Sequence, residues 1–250
     1  MERAMQTVPM KGGIASADFA RYRSALYVVA SRVFASEATV KLLDSFKEAE
    51  HCFEPGAALR PSEARLMKDL AESLKGDSQT LRGLLATEYA ELFLGPRPPL
   101  APLFESVYVG FPNRLYTDVT MAVRRCYQQQ GWKRTDSAHV PDDSIAFELE
   151  FMAHLSSREA ALLDSGKRVA AYELRASEQS FLDEHLCQWA WMFEERVAKA
   201  PGIGFYQAWS AFVTAFAQED STFLAQTLQS SGSFRETLDM QLSDDGEVHQ

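Results

Sequence analysis

The 250 residues carry a formal charge of −10, a pI near 5.0 and 46% hydrophobic residues. A chain of this size and composition buries a sizeable core, which excludes a disordered protein. The acidic balance leaves no basic patch of the kind that nucleic acid or an anionic membrane surface requires, so neither is expected as a partner.

Cysteine usage and hydropathy narrow the class further. Cys52, Cys126 and Cys187 are far apart and form no C-x-x-C, so neither a metal site nor a disulfide framework is expected. No N-terminal apolar run fits a signal peptide, and no stretch of roughly eighteen apolar residues occurs. The expectation is a cytoplasmic protein without membrane insertion.

In chain order, residues 1–16 read as a flexible arm, 17–229 as one all-α domain and 230–250 as a flexible acidic tail. Ser16 or Asp18 caps a first helix with the stripe Phe19, Tyr22, Leu26, Val29, Ala30 and Val33. Val40, Leu43 and Phe46, with Cys52 and Phe53, predict a second helix ended near Pro55-Gly56. Pro61 opens a third and Gly76 closes it, the usual polarity of those two residues. A fourth, from Asp77 or Ser78, runs through Leu81, Leu85, Tyr89, Leu92 and Phe93 into Gly95-Pro96.

Pro96, Pro98, Pro99 and Pro102 then fall within seven residues, and none can continue a helix, because each lacks an N–H and clashes with the preceding turn. Yet this loop carries Leu100, Leu103, Phe104, Val107 and Tyr108, which solvated loops avoid. It must pack on its own core or on a partner.

Asp118 to Gln130 is helical, and a polar stretch then leads to Pro141-Asp142-Asp143-Ser144. Ser144 or Asp143 is positioned to cap the strongly apolar helix that follows, with Ile145, Leu149, Met152 and Leu155 in one stripe. Val169 to Val197 is helical, in one piece or two, with Phe181, His185, Trp189 and Phe193 inward. Pro201-Gly202 breaks it, and Phe205 to Phe216 begins a last helix. Val107 to Val109 is the best strand candidate and is short. The fold class is therefore all-α, a single multi-helix globular domain.

Catalytic motifs are absent. There is no phosphate-binding glycine loop, no G-x-S-x-G and no H-E-x-x-H. Glu148 and Glu150 stand two apart on a helix and point about 200° from each other, so they cannot face one bond. His185, on an apolar face, reads as a satisfied core histidine. The alternatives to a binding protein are a small helical hydrolase or nucleotide-dependent enzyme using Asp142, Asp143, Glu148 or His154, and a retained structural subunit of an oxidoreductase. No cofactor is expected.

Four segments resemble one known family. Tyr89-x-x-Leu92-Phe93-x-Gly95-Pro96, followed by Pro102 and Phe104-Glu105-Ser106-Val107-Tyr108, is similar to the first signature of the TorD/DmsD/NarJ redox-enzyme maturation chaperones. Pro141-x-Asp143 resembles the second, with Ser144 where the family usually has His. Glu148 to Leu155, then Phe181-Leu182-x-Glu184-His185-Leu186-x-x-Trp189 and Phe205-Tyr206, continue the likeness in order.

The resemblance implies a TorD-like all-α fold, no catalysis and a client. That client is an immature molybdopterin-containing oxidoreductase, held by its twin-arginine signal peptide or another segment until the cofactor is inserted. Family peptide-binding positions fall on Leu92, Phe93, Leu103, Phe104 and Asp143. The residues themselves suit such a client. Tyr89, Leu92, Phe93, Leu103 and Phe104 offer apolar surface, and Glu105, Asp142 and Asp143 beside Ser144 offer carboxylates to arginine. A His at position 144 is expected to be accommodated, because a helix start can point its side chain to solvent.

Overall fold

The computed structural model describes residues 16–52, 59–110, 116–133 and 140–244, with 49–52 and 231–244 described as backbone. Helix α1 (Ala17–Ala35) starts where Ser16 Oγ accepts the Phe19 N–H, with Asp18 in the first turn. Its buried face is Phe19, Ala20, Arg23, Tyr27, Ala30, Ser31, Val33 and Phe34. That face is rotated by one residue from the expected stripe. Tyr22, Leu26 and Val29 are only half-buried, because Arg23 points inward.

Helix α2 (Val40–Cys52) reaches the residue before Phe53, and the expected stop at Pro55-Gly56 lies outside the described residues. Helix α3 (Pro61–Ser73) opens on its proline, with the Glu63 carboxylate accepting the Arg60 N–H. Helix α4 (Ser78–Tyr89) is capped by Asp77, whose Oδ1 accepts from Gln79 N and Thr80 N. The chain then widens into a π-helical turn, Ala90–Leu94, which Gly95 closes by donating its N–H to Ala90 O at 2.7 Å. Only glycine fits there. Its φ is +94°, and a Cβ would lie 2.2 Å from Arg97 O.

Helix α5 (Asp118–Gln129) is followed by α6 (Ile145–Asp164), α7 (Arg168–Phe181), a second π-helical turn (Leu182–Leu186) and α8 (Cys187–Lys199). The stretch expected as one helix or two is thus continuous, with a π turn at the joint. Helix α9 (Phe205–Asp244) runs past residue 230, where a loose tail was expected, and 245–250 lie outside the described residues, as do 1–15 of the expected arm. Among the described residues no strand forms; one isolated antiparallel bridge pairs Phe104 with Ser144. The architecture is all-α, as the periodicity predicts, and no described helix is long and apolar enough to cross a membrane.

Helix α1 lies along α6, and α9 packs on α3, α7 and α8. At their common centre Arg23 is completely buried. Its Nε and Nη2 both donate to Asp220, at 2.7 and 2.9 Å, Nη1 donates to Glu159 at 2.7 Å, and Nη2 also meets Glu178. Arg175 shares Glu159, and Tyr27 donates to Asp220 at 2.8 Å. One guanidinium therefore ties α1 to α6, α7 and α9. Burial pushes the Glu178 carboxyl up, and the Arg23 charge opposes that shift.

Arg23→Ala removes the arginine bonded to Glu178 and one of the partners of both Glu159 and Asp220, all buried, and is expected to cost about 3–5 kcal/mol. Arg21→Ala, which removes exposed pairs to Asp18 and Asp164, is expected to cost under about 1 kcal/mol. Equilibrium urea unfolding of both variants checks this contrast. Equal losses would show that the buried guanidinium is not a tie point.

Candidate functional site

The proline loop and the start of α6 meet. The Glu105 N–H donates to Asp143 O at 2.9 Å, and the Ile145 N–H donates to Leu103 O at 2.8 Å. Between them the Asp143 carboxylate accepts the Ser106 N–H at 2.8 Å. Glu105–Val107 is a single 3-10 turn, not a strand. The loop is anchored at its other end by Ala101 N donating to Leu92 O at 2.8 Å. Two segments separated by some forty residues of chain thus form one joint, and α5 packs against it.

Of the nine residues singled out from the sequence, the joint brings together Leu103, Phe104, Glu105, Asp142, Asp143 and Ser144, mostly inside; Leu92 ties to the loop through its carbonyl, whereas Tyr89 and Phe93 pack elsewhere in the core. Tyr89, Leu92 and Phe93 are core: the Phe93 ring lies 5.0 Å from Tyr89, 5.3 Å from Tyr206 and 6.0 Å from Phe34. Leu103, Glu105, Asp142, Asp143 and Ser144 are also buried, and Phe104 alone is half-exposed. Asp143 is 0% exposed and caps no helix; its bond goes across the joint to Ser106. It offers nothing to an incoming arginine in this state. Ser144 occupies the N-cap position of α6 without a side-chain cap bond and is buried, so a His there must displace its neighbours.

Asp142 differs from its neighbour. Its carboxylate is 12% exposed and pairs with Arg124 of α5, itself 44% exposed, while its carbonyl accepts the Tyr127 hydroxyl at 3.0 Å. Exposed Met121 and Val140 flank this pair in the chain, and Leu94 at the end of the π turn and Leu100 in the proline loop are also exposed.

Behind the joint lies a buried polar cluster whose members the sequence named singly but did not connect, and His185 is in it the satisfied core histidine expected. His185, on the second π turn, donates from Nδ1 to the Glu105 carboxylate at 3.0 Å, and its Nε2 lies 3.6 Å from Cys126 Sγ. Glu148 is completely buried and accepts the Trp189 indole N–H at 3.1 Å. Burial first, then the neighbouring Glu105, holds Glu148 well above the usual carboxylate range. Burial also opposes charge on His185, but the bonds to Cys126 and Glu105 and the Glu105 charge outweigh it, pushing the imidazole up to about 10. The signal was present as a His and a Glu on apolar helix faces, but nothing in their spacing says that they meet.

This geometry does not serve the enzyme alternative. Asp143 and Glu148 are sealed in the interior, and Asp142 is paired with an arginine. Among the described residues no group of three or more His, Cys, Asp and Glu side chains is arranged to hold a metal ion. A groove of about 460 Å³ between the start of α3 and α9, lined by Arg60, Pro61, Gln218 and Phe223, shares no residue with the joint.

Known proteins decide the lineage. Residues 57–195, which contain the whole joint, match the family described as nitrate reductase delta subunit. The chain belongs to that family. Among its relatives, the chaperone protein TorD of Vibrio cholerae serotype O1 is 27% identical over 210 residues, spanning 83% of this chain and 94% of the relative. The chaperone protein TorD of Vibrio vulnificus is 26% identical over 211 residues, spanning 82% and 96%. A crystal structure of a candidate redox enzyme maturation protein from Archaeoglobus fulgidus covers 88% of this chain and 99% of its own at 18% identity, with a TM-score of 0.43. These relatives, covered over nearly their full length, are named chaperones, not enzymes.

Two stability measurements follow from the joint. Asp143→Ala leaves the buried Ser106 N–H without an acceptor and is expected to cost about 1–3 kcal/mol, read as a lower urea midpoint; an unchanged midpoint would show that the bond is not needed. An imidazole raised from 6.5 to about 10 on folding stabilises fully below pH 6.5 and progressively less as pH rises toward 10. The stability gap between wild type and His185→Gln is therefore expected to be widest near about pH 6 and to close by about pH 10. A gap that widens with pH would contradict a charged His185.

Proposed function

We propose that this protein is a cytoplasmic maturation chaperone that binds the twin-arginine signal peptide, or a similar basic and apolar segment, of an immature molybdopterin-containing oxidoreductase. The observation that carries the reading is the joint between the proline loop and α6, which ties a segment bearing exposed Leu94 and Leu100 and half-exposed Phe104 to the Asp142 carboxylate and its partner Arg124. Such a segment is basic at one end and apolar beyond it, so its receptor needs both surfaces side by side.

The buried members of the joint act as its frame. Contact with the client falls to the half-exposed Phe104, to Leu94 and Leu100 at 60% and 50% exposure, and to Asp142. Arg124 holds the Asp142 carboxylate in the free protein, in the position that a client arginine would take. Exchange of one arginine for another keeps the charge paired throughout, so little desolvation penalty separates the free and bound states. Membership of a family described by a reductase subunit favours one second reading, a retained subunit. Such a subunit stays with the mature oxidoreductase on co-purification, whereas a chaperone leaves it.

Titration of a twin-arginine peptide into three variants, at low and high salt and alongside melting curves, tests the assignment. Phe104→Ala is expected to weaken binding by about 2 kcal/mol at both salt concentrations, because apolar burial is not screened. Arg124→Ala removes the arginine that competes for Asp142 and is expected to tighten binding at low salt, and Asp142→Asn to weaken it there. Variants that melt and bind as wild type does would move the client site elsewhere.

A further inference from the structure

We propose that the groove between the start of α3 and α9 seats residues 4–10 of this same chain. The inference does not rest on the chaperone reading, because the groove shares no residue with the joint. Its volume is about 460 Å³, and its lining suits a peptide. Pro61, Ala215 and the half-buried Phe223 give apolar surface. Gln218 and Gln226, both exposed, stand about two turns apart on α9, and neither side-chain amide makes a hydrogen bond among the described residues. Such an amide both donates and accepts, and an extended polypeptide backbone offers the matching groups.

Charge narrows the choice of occupant. Arg60 lines the groove, but Glu63 and Asp220 already balance it from 3.8 and 3.7 Å. Glu219 is the charge left over, with its oxygens 3.0 and 2.7 Å from Ser62 N and Oγ. An anionic ligand is therefore disfavoured, and a neutral stretch with basic flanks is matched. Residues 4–10 read Ala-Met-Gln-Thr-Val-Pro-Met, carry no charge, and are bracketed by Arg3 and Lys11. Pro9 biases Val8 toward extended backbone, and methionine adapts well to an aromatic ring such as Phe223.

Position and length single out this segment. Helix α1 begins at Ala17, and its Phe19 ring lies 4.7 Å from the Phe223 ring and 4.8 Å from the Arg60 guanidinium. The chain before Ser16 thus joins the described structure beside two residues of the groove. From Met10 to Ser16 the chain reaches up to about 20 Å, whereas Ala215 to Gln226 spans about 16 Å of α9. The tether also supplies an effective concentration on the order of millimolar, so a few contacts suffice.

Photo-crosslinking of the full chain tests the seat. Thr222→p-benzoylphenylalanine puts the probe in the groove, at an exposed residue whose hydroxyl bonds only its own helix. Asp164→p-benzoylphenylalanine is the reference, at a residue that pairs with Arg21 of α1 but lies outside the groove. Peptide mass mapping is expected to join position 222 to residues 1–15 of the same molecule, with a yield unchanged by dilution and severalfold above that at position 164. Val8→Asp, which brings a carboxylate toward Glu219, is expected to remove most of the adduct at 222 and to leave that at 164 unchanged. Equal yields at the two positions would show indiscriminate contact and overturn the proposal. An adduct that falls on dilution would make a second copy the occupant, and capture of another stretch of the chain, or of none, would overturn it equally. Gln226 is the second groove position for the probe should the one at 222 disturb folding.

Discussion

A loop with four prolines in seven residues cannot continue a helix, so its remaining N–H and C=O groups must find partners elsewhere. Here it finds them at the start of α6, through Glu105 to Asp143 and Leu103 to Ile145, and at Leu92 through Ala101. That requirement explains why a short bridge exists in an otherwise helical protein. It also explains why the apolar residues of the loop divide, with Leu103 and Val107 inside and Leu100 outside. The rim that we assign to client binding is the outer edge of a structure made to close the loop.

Charge inside the protein is handled in two ways. Around Arg23 the carboxylates of Glu159, Glu178 and Asp220 converge on its guanidinium, with Arg175 also on Glu159, so each group taken out of water has a bonded partner. Behind the joint the balance is set by protonation. His185 carries a positive charge against Glu105, while Glu148 is held toward its neutral form. The first arrangement fixes how α1, α6, α7 and α9 sit together. The second connects the 3-10 turn of the loop to α5 and α8 through groups that respond to pH.

The helices were legible because apolar spacing at 3.6 residues survives in every segment, and π turns interrupt it without breaking it. The site was legible only as a set of residues. Leu92 and Phe93 carry the same pattern whether they face a peptide or Tyr206, and only tertiary packing separates the two. Asp143 sits where a helix cap is expected, yet its acceptor bond goes to a residue 37 positions away. Arg23 was invisible for a related reason: a lone arginine on an apolar helix face gives no hint that three carboxylates from distant helices await it. The continuation of α9 past residue 230 was masked by composition, since a polar and acidic stretch reads as tail although Glu, Gln, Leu and Met are good helix formers.

Amide hydrogen exchange on the full chain, with and without a saturating twin-arginine peptide, tests the central claim most directly, because it reads the site of contact without altering any residue. Slowed exchange is expected to concentrate in residues 94–108 and 140–146, with the α3 and α9 groove unchanged. Slowing at that groove instead, with the proline loop and the start of α6 exchanging as in the free protein, would contradict the assignment.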